Sequence, residues 1–263
     1  RGLTGQVLYD GKDVVQMDKA ALTRIRGREI SMILQDPMAS LNPIFTIGNQ
    51  LREGLRLHAT ASGSLEERAV AALESVRIPS PEARLQNHPH QMSGGMRQRV
   101  VGAISLTRAP RLLIADEPTT SLDVTIQYQF LELLKDLQKR AGMAMLFITH
   151  DFGVVAKMCD RVAVMYAGQI VEEGPVRDIF RRPRHWYTRA LLDSVPTVDH
   201  ALDRLPTIPG SPPTVAARPQ GCRFHPRCAN AQAKCMQMPP IRKLAPAHEV
   251  RCWFPLEAQR GAV

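Results

Sequence analysis

The apolar run Leu112-Leu113-Ile114-Ala115, which ends in Asp116-Glu117-Pro118, constrains the fold more than any other stretch of the chain. Four consecutive apolar residues closed by polar ones read as a strand buried on both faces, and such strands belong to parallel sheets covered by helices. The neighbouring segments agree. Arg97 to Thr107 has helical texture before the run, and Ile126 to Arg140 has it afterwards. A strand at Ala144–Thr149, a helix at Phe152–Lys157 and a strand at Arg161–Tyr166 follow. Upstream, Gly5–Tyr9 and Glu29–Leu34 read as strands, the second stopped by Gln35-Asp36-Pro37. This alternation predicts an α/β fold with a mostly parallel sheet, in which ligands collect at the C-terminal ends of the strands. Apolar residues at helix spacing, Ile47, Leu51, Leu55 and then Ala69, Ala72, Leu73 and Val76, are interrupted by a loop at Thr60–Ser64 and by Pro79 and Pro81. They predict a helical insert between strands.

At 263 residues and 44% hydrophobic content, the chain suits one large domain with an appendage. We expect the main domain over residues 1–195, its helical subdomain at about 36–110, and a small proline- and cysteine-rich module over 196–263. No stretch approaches the roughly 18 apolar residues of a membrane-spanning helix, and the N-terminus lacks a charged-then-apolar signal pattern. The net charge of +9 admits nucleic acid, an anionic membrane surface or a polyphosphate ligand. Arg177, Arg181, Arg182, Arg184 and Arg189 are interleaved with Asp178, Phe180, Trp186 and Tyr187, which reads as a solvated helical face near a subunit contact and not as a nucleic-acid site.

Two adjacent carboxylates at a strand end supply one group toward magnesium and one to orient or deprotonate an attacking water. Gln35 also ends a strand, with an amide oxygen suited to a magnesium shell and an amide hydrogen able to position water. Ser93 before Gly94-Gly95 and a helix containing Arg97, Gln98 and Arg99 makes a capped helix start whose free N–H groups attract phosphate. Pro118-Thr119-Thr120-Ser121-Leu122-Asp123 forms a tight turn with a further acid before the next helix. His150 ends the following strand, expected beside the one carrying Asp116-Glu117, so its imidazole would reach a terminal phosphate and the attacking water. The phosphate loop G-x-x-x-x-G-K-[ST] does not occur in these 263 residues. Gly11-Lys12 lacks the earlier glycine and precedes Asp13, so it reads as a hairpin turn. With Arg1 in place of methionine and a strand entered halfway at Gly5, we expect a sequence recorded without its first stretch.

Taken together, Gln35, Ser93-Gly94-Gly95-Met96-Arg97-Gln98-Arg99, Asp116-Glu117, Ser121-Leu122-Asp123 and His150 resemble the nucleotide-binding subunit of an ABC transporter. They match in order its Q-loop, signature, Walker B, D-loop and switch histidine, over residues 5 to 175. Gln35-Asp36-Pro37-Met38-Ala39-Ser40-Leu41-Asn42-Pro43, His185-Trp186-Tyr187-Thr188-Arg189-Ala190-Leu191-Leu192 and Ile208-Pro209-Gly210-Ser211-Pro212-Pro213 are similar to the oligopeptide, dipeptide and nickel uptake branch, Trp186 standing where that branch has proline. The resemblance implies a P-loop NTPase-type core, with ATP and Mg2+ as cofactors. It implies Glu117 as general base, Asp116 and Gln35 on the magnesium side, and His150 as sensor of the terminal phosphate. Ser93, Gly94, Gly95 and Gln98 would then face the ATP of a second ABC ATPase subunit, as a heterodimer, with Asp123 as a contact across the dimer. It further implies two membrane permease subunits docked at 36–57, an extracytoplasmic substrate-binding protein acting indirectly, and a place on the cytoplasmic face of the membrane. Without its own phosphate loop, the chain alone is expected to hydrolyse little ATP.

Cys222, Cys228, Cys235 and Cys252 are separated by five, six and sixteen residues in the proline-rich tail. Disulfides suit small loop-rich modules but not a reducing compartment, and zinc favours tighter Cys pairs, whereas a four-thiolate iron–sulfur cluster tolerates wider loops. The branch resembled here has members with a [4Fe-4S] cluster in this tail, and those four cysteines are its expected ligands, with free thiols and zinc as the alternatives left open. Cys159 reads as a plain buried thiol. Three other readings stay open: an ABC ATPase acting on nucleic acid, a degenerate partner that only completes another subunit's site, and an ATPase serving nickel uptake.

Overall fold

The computed structural model describes residues 4–56, 63–120, 122–195 and 206–257. Ser121 of the expected D-loop, and the start of the proline-rich tail at 196–205, lie outside the described residues. The chain forms two compact units that divide between Val154 and Val155.

In the first unit, β1 (Leu8–Tyr9) and β2 (Lys12–Asp13) form an antiparallel hairpin. Its turn is Asp10-Gly11, with φ of 50° and 75°, the pair of positive dihedrals that a two-residue hairpin turn requires. The hairpin is present, but its turn lies one residue before the expected Gly11-Lys12, since Lys12 already pairs with Tyr9, and the strand is much shorter than Gly5–Tyr9. After α1 (Lys19–Ile25), capped by the Asp18 carboxylate on the Ala21 N–H, comes β3 (Ile30–Ile33). Four helices then lead to the next strand's approach: α2 (Pro37–Ser40), α3 (Ile47–Arg56), α4 (Leu65–Ser75) and α5 (Pro81–Leu85). Ser64 and Glu67 close a reciprocal capping box at α4. Leu51, Leu55, Leu73 and Leu85 are buried among these helices, so the periodic residues of the insert make its core.

The rest of the unit alternates α6 (Gly94–Leu106), β4 (Leu112–Asp116), α7 (Val124–Ala141) and β5 (Ala144–Ile148), with α8 (Phe152–Met158) crossing the division. Strands β3, β4 and β5 pair in that order, all parallel. Ile33 stands opposite Ala115 and Ala115 opposite Phe147, so the three C-terminal ends lie side by side. Leu113 and Ala115 are fully buried, along with Val100 of α6 and Leu134 of α7. The other face differs from the expectation of a doubly covered sheet. Met32, Ile114 and Leu146 form one cross-strand row, and Met32, Leu146 and Ile148 remain 42%, 51% and 46% exposed among the described residues.

The second unit corrects the sequence reading at β6 (Arg161–Tyr166). That strand does not continue the parallel sheet; it turns at Ala167-Gly168, with φ of 48° and 76°, into an antiparallel partner, β7 (Gln169–Pro175). The physical reason is the turn, which is too short for any crossover to a parallel neighbour. After α9 (Val176–Arg181) and α10 (Trp186–Asp193), the hairpin β8 (Arg242–Ala245) and β9 (His248–Val250) completes a sheet ordered β6-β7-β9-β8. Val164, Tyr166, Val171, Ile179, Cys222, Phe224 and Cys235 form one buried cluster, so the cysteine-bearing segment shares its core with β6, β7 and α9. Position 195 falls inside this unit. Two arginines of the basic stretch pair one helical turn away, Arg182 with Asp178 at 2.6 Å and Arg189 with Asp193 at 2.9 Å, on solvated surfaces.

Glu172 fastens the unit together. Its fully buried carboxylate accepts the backbone N–H groups of Arg184 at 2.6 Å and His185 at 2.9 Å, and lies 2.8 Å from His248 Nε2. One side chain on β7 thereby holds both β9 and the entry to α10.

Candidate active site and cysteine cavity

The parallel register brings three of the singled-out side chains together. Ile33 and Ala115 are register partners, so Gln35 and Glu117 each lie two residues beyond the same level, while His150 lies two residues past Ile148, the partner of Asp116. Gln35 Nε2 donates to Glu117 Oε2 at 2.9 Å, and His150 Nδ1 stands 3.1 Å from Glu117 Oε1. Thr120 Oγ1 also donates to Glu117 Oε2, at 2.9 Å. Thr120 is the member that the sequence does not single out, since there it is only part of a tight turn.

Glu117 leaves its strand with φ of 44°, while its N–H still donates to Ile148 O at 2.8 Å. A left-handed backbone on a non-glycine residue costs on the order of 1–3 kcal/mol and is found where a side chain must be aimed. Here the twist turns the carboxylate out of the sheet toward Gln35 and His150. The hydrogen bonds from Thr120 and then His150 hold that carboxyl below the usual glutamate range, with Gln35 adding to them and slight desolvation opposing. An ionised carboxylate with both oxygens engaged can order a water and accept its proton as charge develops. His150 is itself steadied from the following residue: Asp151 accepts from Gln127 of α7 at 3.0 Å and from the Gly153 and Val154 N–H groups at the start of α8.

Asp116, the last residue of β4, shares the strand face of Ile114. Its carboxylate and the Gln35 amide oxygen are the hard oxygen donors that magnesium takes, one or two from protein with waters completing the shell, so the residues present fit that ion.

Among the described residues Ser93, Gly94, Gly95, Gln98 and Asp123 make no hydrogen bond to this cluster. Ser93 caps α6 by accepting from Met96 N at 3.3 Å, and Asp123 caps α7 by accepting from Ile126 N at 3.0 Å. Gly94 is exposed with open space where a Cβ would stand, but a Cβ on Gly95 would meet Ile126 Cγ2 at 2.6 Å. Glycine at 95 is therefore demanded by the approach of α6 to α7. Gln98 is 2% exposed, turned into the helix packing.

In the second unit Cys222, Cys228, Cys235 and Cys252 line one cavity with His185, Trp186, Phe224, His225 and Trp253. Among the described residues no three His, Cys, Asp or Glu stand close enough to hold a single metal ion. Burial pushes the thiols of Cys222 and Cys228 up, and burial together with the other three cysteines pushes Cys252 up to about 12. Gly221, at φ of 71°, has the Cys235 and Met236 backbone within 2.5 Å of any Cβ, so only glycine lets the two cysteine loops meet. Cys159 is a free, half-buried thiol outside this group.

Comparison with known proteins agrees with both units. Residues 2–120 match the ABC transporter family, and residues 171–235 match the oligopeptide/dipeptide transporter C-terminal region. A peptide import ATP-binding protein of Brucella melitensis is 50% identical over 251 residues, covering 95% of this chain and 76% of that protein. The oligopeptide transport ATP-binding protein OppD of Bacillus subtilis is 51% identical over 253 residues, covering 95% of this chain and 71% of its own length. The chain belongs to the ATP-binding subunits of ABC transporters. Among solved structures, the ABC transporter cassette MJ0796 matches as a dimer with a TM-score of 0.58 at 28% identity, over 66% of this chain and 74% of that one. The same cassette in a post-hydrolysis state bound to ADP and Pi matches with a TM-score of 0.59 at 27% identity. The α/β core is thus an ABC ATPase cassette, and the protein is an ABC-type ATPase. No helix of the described residues is long and apolar enough to cross a membrane.

Proposed function

We propose that this ABC ATPase drives a peptide importer, with Glu117 as the carboxylate that orients the attacking water and takes its proton. The observation that carries this reading is the convergence of Gln35, Thr120 and His150 on both oxygens of an ionised Glu117. Asp116 and the Gln35 amide oxygen hold magnesium, which when bound neutralises charge on the phosphates. On nucleotide binding, Gln35 and His150 exchange their bonds to Glu117 for water and the terminal phosphate, freeing the carboxylate for its proton. Ser93, Gly94 and Gly95 offer their helix start to the nucleotide of a second ABC ATPase subunit in a heterodimer, and Asp123 lies at that contact. Two membrane permease subunits receive the motion, and an extracytoplasmic binding protein delivers the cargo. The chain then works at the cytoplasmic face of the membrane.

The peptide cargo is supported by the relatives' identity and by the matched oligopeptide/dipeptide transporter region. In the assembled transporter, Glu117→Gln should keep nucleotide binding and lose at least about 10²-fold in ATP hydrolysis. Hydrolysis within threefold of wild type overturns the assignment. Deletion of the gene should abolish uptake of labelled peptides and leave nickel uptake intact; the reverse pattern refutes the peptide reading.

For the second unit we propose a [4Fe-4S] cluster held by Cys222, Cys228, Cys235 and Cys252. A single ion needs all its sulfur donors about 2.3 Å from one point, whereas a four-iron cluster is broader and takes cysteines spread around a cavity. Cys222, Cys228 and Cys252, whose pKa is raised by burial and by the neighbouring thiols, ionise when a cationic metal group supplies the missing positive charge. Anaerobic purification with a visible spectrum and iron and sulfide counts tests this; an iron-free, colourless protein refutes it.

A further inference from the structure

The cysteine cavity is lined by nitrogen-bearing aromatic side chains, and one ring nitrogen among them is buried without a partner. Trp186 Nε1 donates to Phe254 O at 2.9 Å, and Trp253 Nε1 donates to Gln237 O at 3.0 Å. His225 Nδ1 lies 2.9 Å from Cys222 O. His185 is the exception. Its ring is 1% exposed and lines the same cavity, and its Nε2 is buried without any hydrogen-bond partner among the described residues.

The tautomer of that ring is fixed by its other nitrogen. His185 Nδ1 caps α10 by accepting the Tyr187 N–H at 3.1 Å, so Nδ1 carries no proton and the hydrogen of the neutral ring sits on Nε2. The ring is also held in place. Its own backbone N–H is bound by Glu172, and it packs against Phe224, two residues after Cys222, with ring centroids 6.0 Å apart. A buried N–H donor with no acceptor costs on the order of 1–3 kcal/mol, so an immobilised one on a residue that lines the cysteine cavity marks a missing acceptor.

We infer that His185 is a positioning residue for the group bound by the four cysteines, its Nε2–H donating to a cluster or cysteine sulfur. This rests on the iron–sulfur reading above. Hydrogen bonds to the sulfurs are one of the levers that set a cluster's reduction potential, because they stabilise the additional negative charge of the reduced state. His185 thereby raises the potential, and the Glu172 clasp that anchors its backbone couples the sheet to the cluster.

The test uses the purified holoprotein under anaerobic conditions. Iron and sulfide are counted, and the cluster potential is measured in wild type and in His185→Phe, which keeps an aromatic ring of similar size and removes the donor. We expect both proteins to hold the cluster and the variant to have a lower midpoint potential. Equal potentials in two loaded proteins overturn the donor while leaving the cluster intact. A wild type without iron overturns the cluster and the donor together. Should the variant lose the cluster on purification, the wild type alone decides: with 15N-labelled histidine, the reduced cluster should show electron–nuclear coupling to one imidazole nitrogen and to an exchangeable proton. Absence of that coupling overturns the inference.

Discussion

Replacing Glu172 by Gln should destabilise the second unit by roughly 3 kcal/mol, a large effect for a change of one atom. The carboxylate uses Oε1 for the Arg184 N–H and His248, and Oε2 for the His185 N–H. A glutamine has only one acceptor. With its oxygen toward Arg184 and His248, its amide nitrogen faces the His185 N–H, and a donor in a residue 1% exposed is orphaned at a cost of about 1–3 kcal/mol. The two surviving bonds also fall from charge-assisted to neutral strength, worth roughly another 1 kcal/mol together. Relief of the buried carboxylate's desolvation opposes these terms and keeps the sum near 3 kcal/mol. The neighbour supplies the control. Glu173 bonds Arg161 at 2.7 Å but is 42% exposed, so Glu173→Gln should cost less than about 1 kcal/mol. Trp186 and Trp253 are the chain's two tryptophans and both lie in the second unit, so their fluorescence during urea unfolding reports that unit alone. At a slope near 1.5 kcal/mol/M the Glu172→Gln midpoint should fall by about 2 M. Equal midpoints for the two glutamine variants would refute the clasp.

His185 should stay neutral far below the ordinary histidine range, since burial lowers its pKa to about 4. Because the folded value lies below the unfolded one near 6.5, stability is fully present above that pH and is lost on acidification toward 4, on the order of 3 kcal/mol in all. Histidine NMR titration checks the value, and a folded-state midpoint near 6.5 contradicts it. Thr120→Ala removes the foremost cause of the lowered Glu117 pKa, so the acid limb of the transporter's pH–rate profile should move to higher pH; an unmoved limb counts against the assignment. Gly221→Ala forces a Cβ into the Cys235-Met236 backbone at positive φ and should cost more than about 3 kcal/mol. Thermal unfolding checks it, and a native-like variant is the opposing result. Gly95→Ala should cost about 1–3 kcal/mol by urea unfolding, since Ile126 must move; a neutral variant would mean α7 yields freely.

The α/β alternation from Arg97 to Ile148 was legible because each strand is a short apolar run flanked by helices of clear period, and β4 and β5 fall within a residue or two of their expected ends. The strand ends carrying Gln35, Glu117 and His150 were legible for the same reason: a parallel register fixes which ends are neighbours. What the pattern could not give was the partner of β6, since a two-residue turn of Ala167-Gly168 lacks the usual Asn-Gly or Asp-Gly signal. Thr120 was hidden because its importance comes from the left-handed twist at Glu117, a property of the backbone and not of residue type.

The sequence by itself determined the chemistry available, two acids, an amide and an imidazole at adjacent strand ends, and four thiols in the tail. Only the tertiary structure decided how those groups meet. Why a side chain at position 95 would collide with Ile126, that Glu172 closes on two backbone N–H groups and a histidine, and that His185 Nε2 is left without an acceptor are all set by contacts between residues distant in the chain. Local periodicity reports which face of an element is apolar. It carries no information on which polar atom, from tens of residues away, will arrive to satisfy a buried one, and those arrivals define both sites.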